Sequence, residues 1–123
     1  MTQYIANPNE TETASQDMAM RRTEIAGQHW NRAKSSSLAK AEGIDLNDEH
    51  WAVIIYLRKR YLMQGLSKHA RSLANDLKLH FKNQGGNKYL YQLFAGGPIT
   101  QGCRIANLRT PAYASDRSFG SIY

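Results

Sequence analysis

The stretch "LNDEHWAVIIYLRKRYLMQG", residues 46–65, limits the fold more than any other part of the chain. Within it Trp51, Ile54, Ile55, Arg58, Tyr61 and Leu62 recur every three or four residues, which places them on one face of an α-helix. An aromatic and branched stripe of this kind is stable only when other apolar groups cover it, so the helix must sit inside a packed domain. Its ends are equally marked. Asn47 can accept hydrogen bonds from the free amides of the first turn, Asp48 and Glu49 lie where the helix dipole favours negative charge, and Arg58 to Arg60 lie toward the opposite end. Gly65 stops it.

The covering surface has to come from the rest of the chain, which also reads as helical. "SQDMAMRRTEIAG" is weakly periodic and breaks at Gly27, and "QHWNRAKSSSLAKAEGI" puts Trp30, Ala33, Leu38 and Ala41 roughly on one side before Gly43. Ser67 is placed to cap "KHARSLANDLKLHFK", whose Leu73, Leu77 and Phe81 repeat every fourth residue until "NQGGN" closes the helix. "KYLYQLFAG" gives a short helix with Leu90, Leu93 and Phe94 inward, halted at Gly96 and Gly97. Pro98 suits the first position of a last helix, "PITQGCRIAN", where its missing amide proton is not needed. No stretch reads as a strand, and there is no internal repeat. The predicted fold is all-α: a compact orthogonal helical domain over 14–107 with a helix-turn-helix-like pair. A polar, disordered lead-in over 1–13 precedes it, and an irregular C-terminal arm, "LRTPAYASDRSFGSIY", follows over 108–123.

Composition narrows what such a domain can do. A chain of 123 residues, 41% hydrophobic, supports one domain with a modest core. A single cysteine allows no intramolecular disulfide, which fits a reducing compartment. The N-terminus has no basic and apolar leader, and no 18 consecutive apolar residues occur, so the expected setting is cytoplasmic with no membrane partner. Charge is uneven: residues 1–50 carry five basic and eight acidic side chains, residues 51–123 eleven and two. A basic half of this kind attracts nucleic acid, an acidic protein partner or small anions, and serves equally well for solubility alone.

Motifs of chemistry are few. Cys103 shares a helical face with Ile99 and Ala106, and on spacing alone a small core residue is a better reading than a nucleophile. A working thiol needs exposure and a lowered pKa; Arg104 and Arg109 are the cations that could stabilise its thiolate, beyond the turn where the helix dipole acts. His29, His50, His69 and His80 fall on separate helices without metal-ligand spacing, so no metal is expected. "AGGP" lacks the Lys and Ser or Thr of a phosphate loop, and Ser35 to Ser37 have no local His and Asp arrangement, so neither a cofactor nor hydrolase chemistry is expected. The turn "MQGLS" joins two helices, the second opening with Lys68, His69 and Arg71, as in proteins that offer such residues to DNA base edges.

The runs "EGIDLNDEHWAVIIYLRKRY" and "YLYQLFAGGPITQGCRIANL", with Arg71 and Leu73 between them, resemble the DsrC/TusE family of small sulfur-trafficking proteins related to the gamma subunit of dissimilatory sulfite reductase. The resemblance spans about residues 28–111, and "LFAGGPITQGCRIA", with "DEHW" upstream, is its most specific part. It implies a compact helical domain ending in a mobile arm. In that family a thiol near the arm's end accepts sulfane sulfur as a persulfide, and in dissimilatory members it also bonds to a second thiol about eleven residues earlier. Cys103 falls on the earlier position and Ala114 on the terminal one. Alanine can neither hold a persulfide nor form a disulfide, so the two-thiol cycle is closed to this chain. The family's Gly-Leu-Pro hinge is here Asn107, Leu108 and Arg109, which predicts a different bend at the base of the arm. The chain also continues past Ala114 with "SDRSFGSIY" and lacks the short hairpin expected before "HW".

The resemblance therefore implies a cytoplasmic sulfur-relay-family protein, an accessory carrier or modulator rather than a stand-alone enzyme. It would dock on sulfurtransferase or sulfite-reductase-type enzymes through Arg58, Arg60, Lys68, Arg71, Arg104 and Arg109, with Cys103 as its one sulfur-bearing residue. Two alternatives stand beside it. One is a regulator that binds DNA through the Lys68–Arg71 helix; the other is a scaffold in which Cys103 is dispensable.

Overall fold

The computed structural model describes residues 8–112, with side chains from residue 16 onward. Among the described residues the regular elements are all helical: α1 (Pro8–Gly27), α2 (Arg32–Ala41), α3 (Asp48–Gln64), α4 (Ala70–His80), α5 (Gly86–Leu93) and α6 (Thr100–Ile105), with a 3₁₀ turn at Lys82–Gln84. α1 begins inside the segment read as a lead-in; residues 1–7 and the arm beyond Ala112 lie outside the described residues.

α3 is the central element. Asn47 Oδ1 accepts from the Glu49 and His50 amides at 2.9 and 3.1 Å, and His50 Nδ1 accepts in return from the Asn47 amide at 3.2 Å, a reciprocal cap with histidine in the usual Glu or Gln position. The other ring nitrogen, Nε2, donates to the Leu93 carbonyl at 2.9 Å, so the same imidazole pins the end of α5 to the start of α3. Val53, Ile54 and Leu57 of α3 meet Leu73 and Leu77 of α4, Phe81, Leu90 and Leu93 of α5, Phe94, and Ile99, Cys103 and Ile105 around α6 in one core. Each large side chain buried there contributes about 1.5–3 kcal/mol of desolvation. α1 lies along α3, and its Arg21 donates to the Leu62 and Met63 carbonyls, both at 3.0 Å, which otherwise lack helical partners.

Four local expectations change. The buried face of α3 is turned by about one position: Val53 and Leu57 are inside, while Trp51, Ile55 and Leu62 are half-buried. On α2 the buried residues are Ser35 and Ala39, not Ala33 and Ala41. Ser35 tolerates full burial because its hydroxyl accepts from Trp30 Nε1 at 2.8 Å and donates to the Ile105 carbonyl at 2.7 Å. Ser67 does not cap α4, which starts only at Ala70; its hydroxyl accepts from Arg60 at 2.9 Å instead. The last helix starts later than expected, at Thr100 with Ile99 as its cap, and Pro98 lies in the turn that leads into it, where the carbonyls of Gly97 and Pro98 accept from the Gln101 and Gly102 amides.

Candidate functional site

α6 lies close against α3 at Gly102, where a Cβ would stand 3.2 Å from Leu57 Cδ1 and make that side chain give by a few tenths of an ångström. Cys103 is turned inward, 2% exposed. The end of α6 is tied down by buried groups from two other helices. Ser35 donates to the Ile105 carbonyl, and Arg58 Nη1 donates to the Ala106 carbonyl at 2.6 Å while its guanidinium lies 4.1 Å over the Trp30 ring. On the outer side, Gln101 accepts from the Gly96 amide and donates to Glu42, which also grips Arg104 through two bonds of 2.7 Å. The Arg104 hydrogen bonds hold the Glu42 carboxyl below its ordinary pKa, against a smaller opposing effect of burial.

The chain leaves α6 through a tight helix-ending turn. Asn107 adopts φ +64, and the Asn107 and Leu108 amides donate back to the Arg104 and Cys103 carbonyls at 3.1 and 2.9 Å. Asparagine thus supplies, at the first hinge position, the left-handed conformation that glycine favours. Residues 108–112 then run as a strap over the thiol. Pro111 is buried, and the Ala112 carbonyl accepts from the Ala70 amide at 3.0 Å, the first amide of α4. Arg109 donates to the Tyr61 hydroxyl at 2.8 Å, Tyr61 donates to Glu24 at 2.7 Å, and Arg109 and Glu24 stand 3.6 Å apart. Beneath the strap a cavity of about 20 Å³ separates Cys103 from Leu57, Arg60, Leu73, Leu108 and Pro111, room for roughly one water-sized atom.

This environment reverses both conditions a working thiol needs. Burial pushes the Cys103 thiol up to about 12, and the Arg60 charge opposes that only in part. The cation that acts on the thiol is Arg60, not Arg104 or Arg109, which are engaged by Glu42 and by Tyr61 with Glu24. Arg60 is itself held by Asp76 at 2.6 Å and by Ser67.

The six basic residues do not form one patch. Lys68 and Arg71 are exposed at the start of α4, and Arg104 and Arg109 are exposed on separate sides of α6 and the strap. Arg60 is mostly covered, and Arg58, 8% exposed, faces the interior; burial lowers its pKa. Neither Arg58 nor Arg60 offers a docking surface. Sequence spacing also gave no sign of Ser35, Trp30, Glu24 or the Tyr61 hydroxyl as parts of the site, because their partners lie 37 to 70 residues away or depend on them. Among the described residues no three His, Cys, Asp or Glu side chains are grouped so as to hold a metal ion, and no helix is long and apolar enough to cross a membrane.

A family model described as "DsrC like protein" matches residues 12–114, most of the chain. The chain belongs to the DsrC-like family. It is 39% identical over 83 residues to the Sulfurtransferase TusE of Salmonella paratyphi A, covering 67% of this chain and 76% of that protein. Against the Sulfurtransferase TusE of Sodalis glossinidius it is 36% identical over 85 residues, covering 68% and 79%. The NMR structure of Allochromatium vinosum DsrC superposes with a TM-score of 0.58 at 35% identity, over 67% of this chain and 74% of that one. These matches agree with an all-helical sulfur-relay-family protein and lend no support to the DNA-binding alternative. Within the DsrC-like frame this chain has one thiol, Cys103, under the base of the arm, and alanine at 114, outside the described residues.

Proposed function

We propose that the protein is a gated sulfur carrier, in which Cys103 takes sulfane sulfur from a partner's persulfide and passes it on only while the 108–112 strap is lifted. The observation that supports this reading is the position of the chain's one thiol against a small cavity lined by Leu108, Arg109 and Pro111 of the strap together with Gly65, Leu66 and Ser67 of the α3–α4 loop. In the transfer, Cys103 first loses its proton to solvent. Its thiolate attacks the terminal sulfur of the partner persulfide, the partner's S–S bond breaks as a new S–S bond to Sγ forms, and the partner's thiolate leaves. Sulfur moves without net oxidation, and delivery to a second thiolate is the same exchange in reverse. With alanine at 114, both exchanges run between molecules. Under the closed strap the thiol stays protonated and unreactive.

The partners are sulfur-handling proteins, a reading supported by the relatives' name, and the setting is the cytoplasm, supported by the single cysteine. Docking falls to the exposed Lys68, Arg71, Arg104 and Arg109, while Arg58 and Arg60 shape the site from within. Incubation with a low-molecular-weight persulfide followed by intact-mass measurement tests the carrier role. Wild type should gain one sulfur atom, lost on reduction, and Cys103→Ser none; a wild type that gains none over the time in which its thiol is alkylated contradicts it. A second reading, a non-transferring modulator with a structural cysteine, is favoured by the depth of burial alone. It predicts that Cys103→Ser binds every partner as wild type does.

A further inference from the structure

We propose that α1 is an autoinhibitory brace that holds the strap closed over Cys103 through the chain Glu24–Tyr61–Arg109. This rests on the gated-carrier reading and adds the element that controls the gate. The brace has two contacts on one face of α1. Arg21 clasps the end of α3 through the Leu62 and Met63 carbonyls and packs against Gly65, where a Cβ would stand 3.3 Å from its Nη1. Three residues on, Glu24 accepts a hydrogen bond from the Tyr61 hydroxyl at 2.7 Å, which leaves the phenolic oxygen to accept from Arg109 at 2.8 Å. Glu24 also draws on Arg109 directly at 3.6 Å.

The geometry makes the strap's fastening depend on the seating of α1. Arg109 is the one charged side chain of residues 108–112, and both partners within its reach are either on α1 or oriented by it. Its position in the hinge is one where the family resemblance has proline, which carries no donor for either contact. The fastening is also releasable: the Arg109 and Glu24 side chains are 64% and 40% exposed, so water and salt screen their attraction. A partner that draws α1 off α3 removes Glu24 and turns the Tyr61 hydroxyl loose together, freeing Arg109 and opening the strap from the side opposite its Ala112–Ala70 bond.

The test is the rate at which a small thiol alkylating reagent labels the full-length protein, which reads access to Cys103 and not sulfur loading, so either reading can fail alone. Glu24→Ala, Tyr61→Phe and Arg109→Ala should each label about two- to fivefold faster than wild type at low salt, the range an exposed charged contact supports. High salt should accelerate wild type toward the variants. Arg32→Ala, which removes only the exposed cation over the Trp51 ring, should label as wild type. Unchanged rates in Glu24→Ala and Tyr61→Phe overturn the brace even if Arg109→Ala is faster, since the strap would then be held without α1. Circular dichroism confirms folding, and if Tyr61→Phe unfolds, the exposed Glu24→Ala decides.

Discussion

The end of α6 and the strap that follows it are adjacent in sequence and held by different physics. The Ile105 and Ala106 carbonyls are bound by Ser35 and Arg58, both nearly devoid of solvent contact, in bonds of 2.7 and 2.6 Å. Loss of either partner leaves a buried carbonyl unsatisfied. The strap is fastened by Arg109 to the hydroxyl of the buried Tyr61 and to Glu24, and the Arg109 and Glu24 ends are exposed, where water replaces a lost contact at little cost. The difference teaches where the chain can move: the helix carrying Cys103 is fixed, the turn at Asn107 is the boundary, and the cover over the thiol is the weak part.

The largest effect that could break this contrast is expected at Arg58. Arg58→Ala strips the Ala106 carbonyl of its donor and Trp30 of its cation, and should lower stability by about 3 kcal/mol, read as a fall in the chemical-denaturation midpoint. A loss under about 1 kcal/mol would mean that the anchor is no stronger than the strap. An intermediate effect is expected on the outer side of α6. Because Glu42 titrates below its ordinary value when folded, the folded chain binds fewer protons than the unfolded one across that window. The stability it adds is therefore present above the unfolded carboxyl pKa and lost as pH falls through the lower folded one. Glu42→Gln should cost up to about 1 kcal/mol at neutral pH and show a flatter acid limb in stability against pH; an unchanged limb would remove the Glu42–Arg104 clamp from the account. The smallest effect belongs to the strap: Arg109→Ala should change stability by less than about 1 kcal/mol, the free energy to which two- to fivefold faster thiol labelling corresponds.

The helices were legible because their signals are local. Asn47, Gly65, Gly85 and Pro98 mark ends through the backbone of their own neighbourhood, and Leu73, Leu77 and Phe81 state their period within three turns. Burial of Cys103 was legible for the same reason, from Ile99 and Ala106 on its face. What could not be read is whatever depends on a distant partner. Ser35 looks like a surface residue until a carbonyl 70 residues away is brought to it, Arg58 shares the apolar face of its helix but shows no partner until the Ala106 carbonyl 48 residues away meets it, and Ser67 looks like a cap until it accepts from Arg60. The site was therefore half visible: the thiol and its helix from local pattern, the strap's fastening only from the fold. The resemblance placed Cys103 at a redox position, but it could not show that Asn107 reproduces a glycine's turn or that Arg109 gains partners on α1 and α3.

The central claim is that the strap opens while the domain stays folded. It is tested most directly by the alkylation rate of wild-type Cys103 at about pH 8 across sub-denaturing urea. With Cys103 2% exposed and its thiol pushed up by burial, labelling there proceeds through opened molecules. Opening a short strap exposes little surface, so the rate should lie well below that of the unfolded chain and stay nearly flat in urea until the unfolding transition. A rate that climbs with urea along the global unfolding line from the start would show that the thiol is reached only when the domain melts, and would contradict a gated carrier.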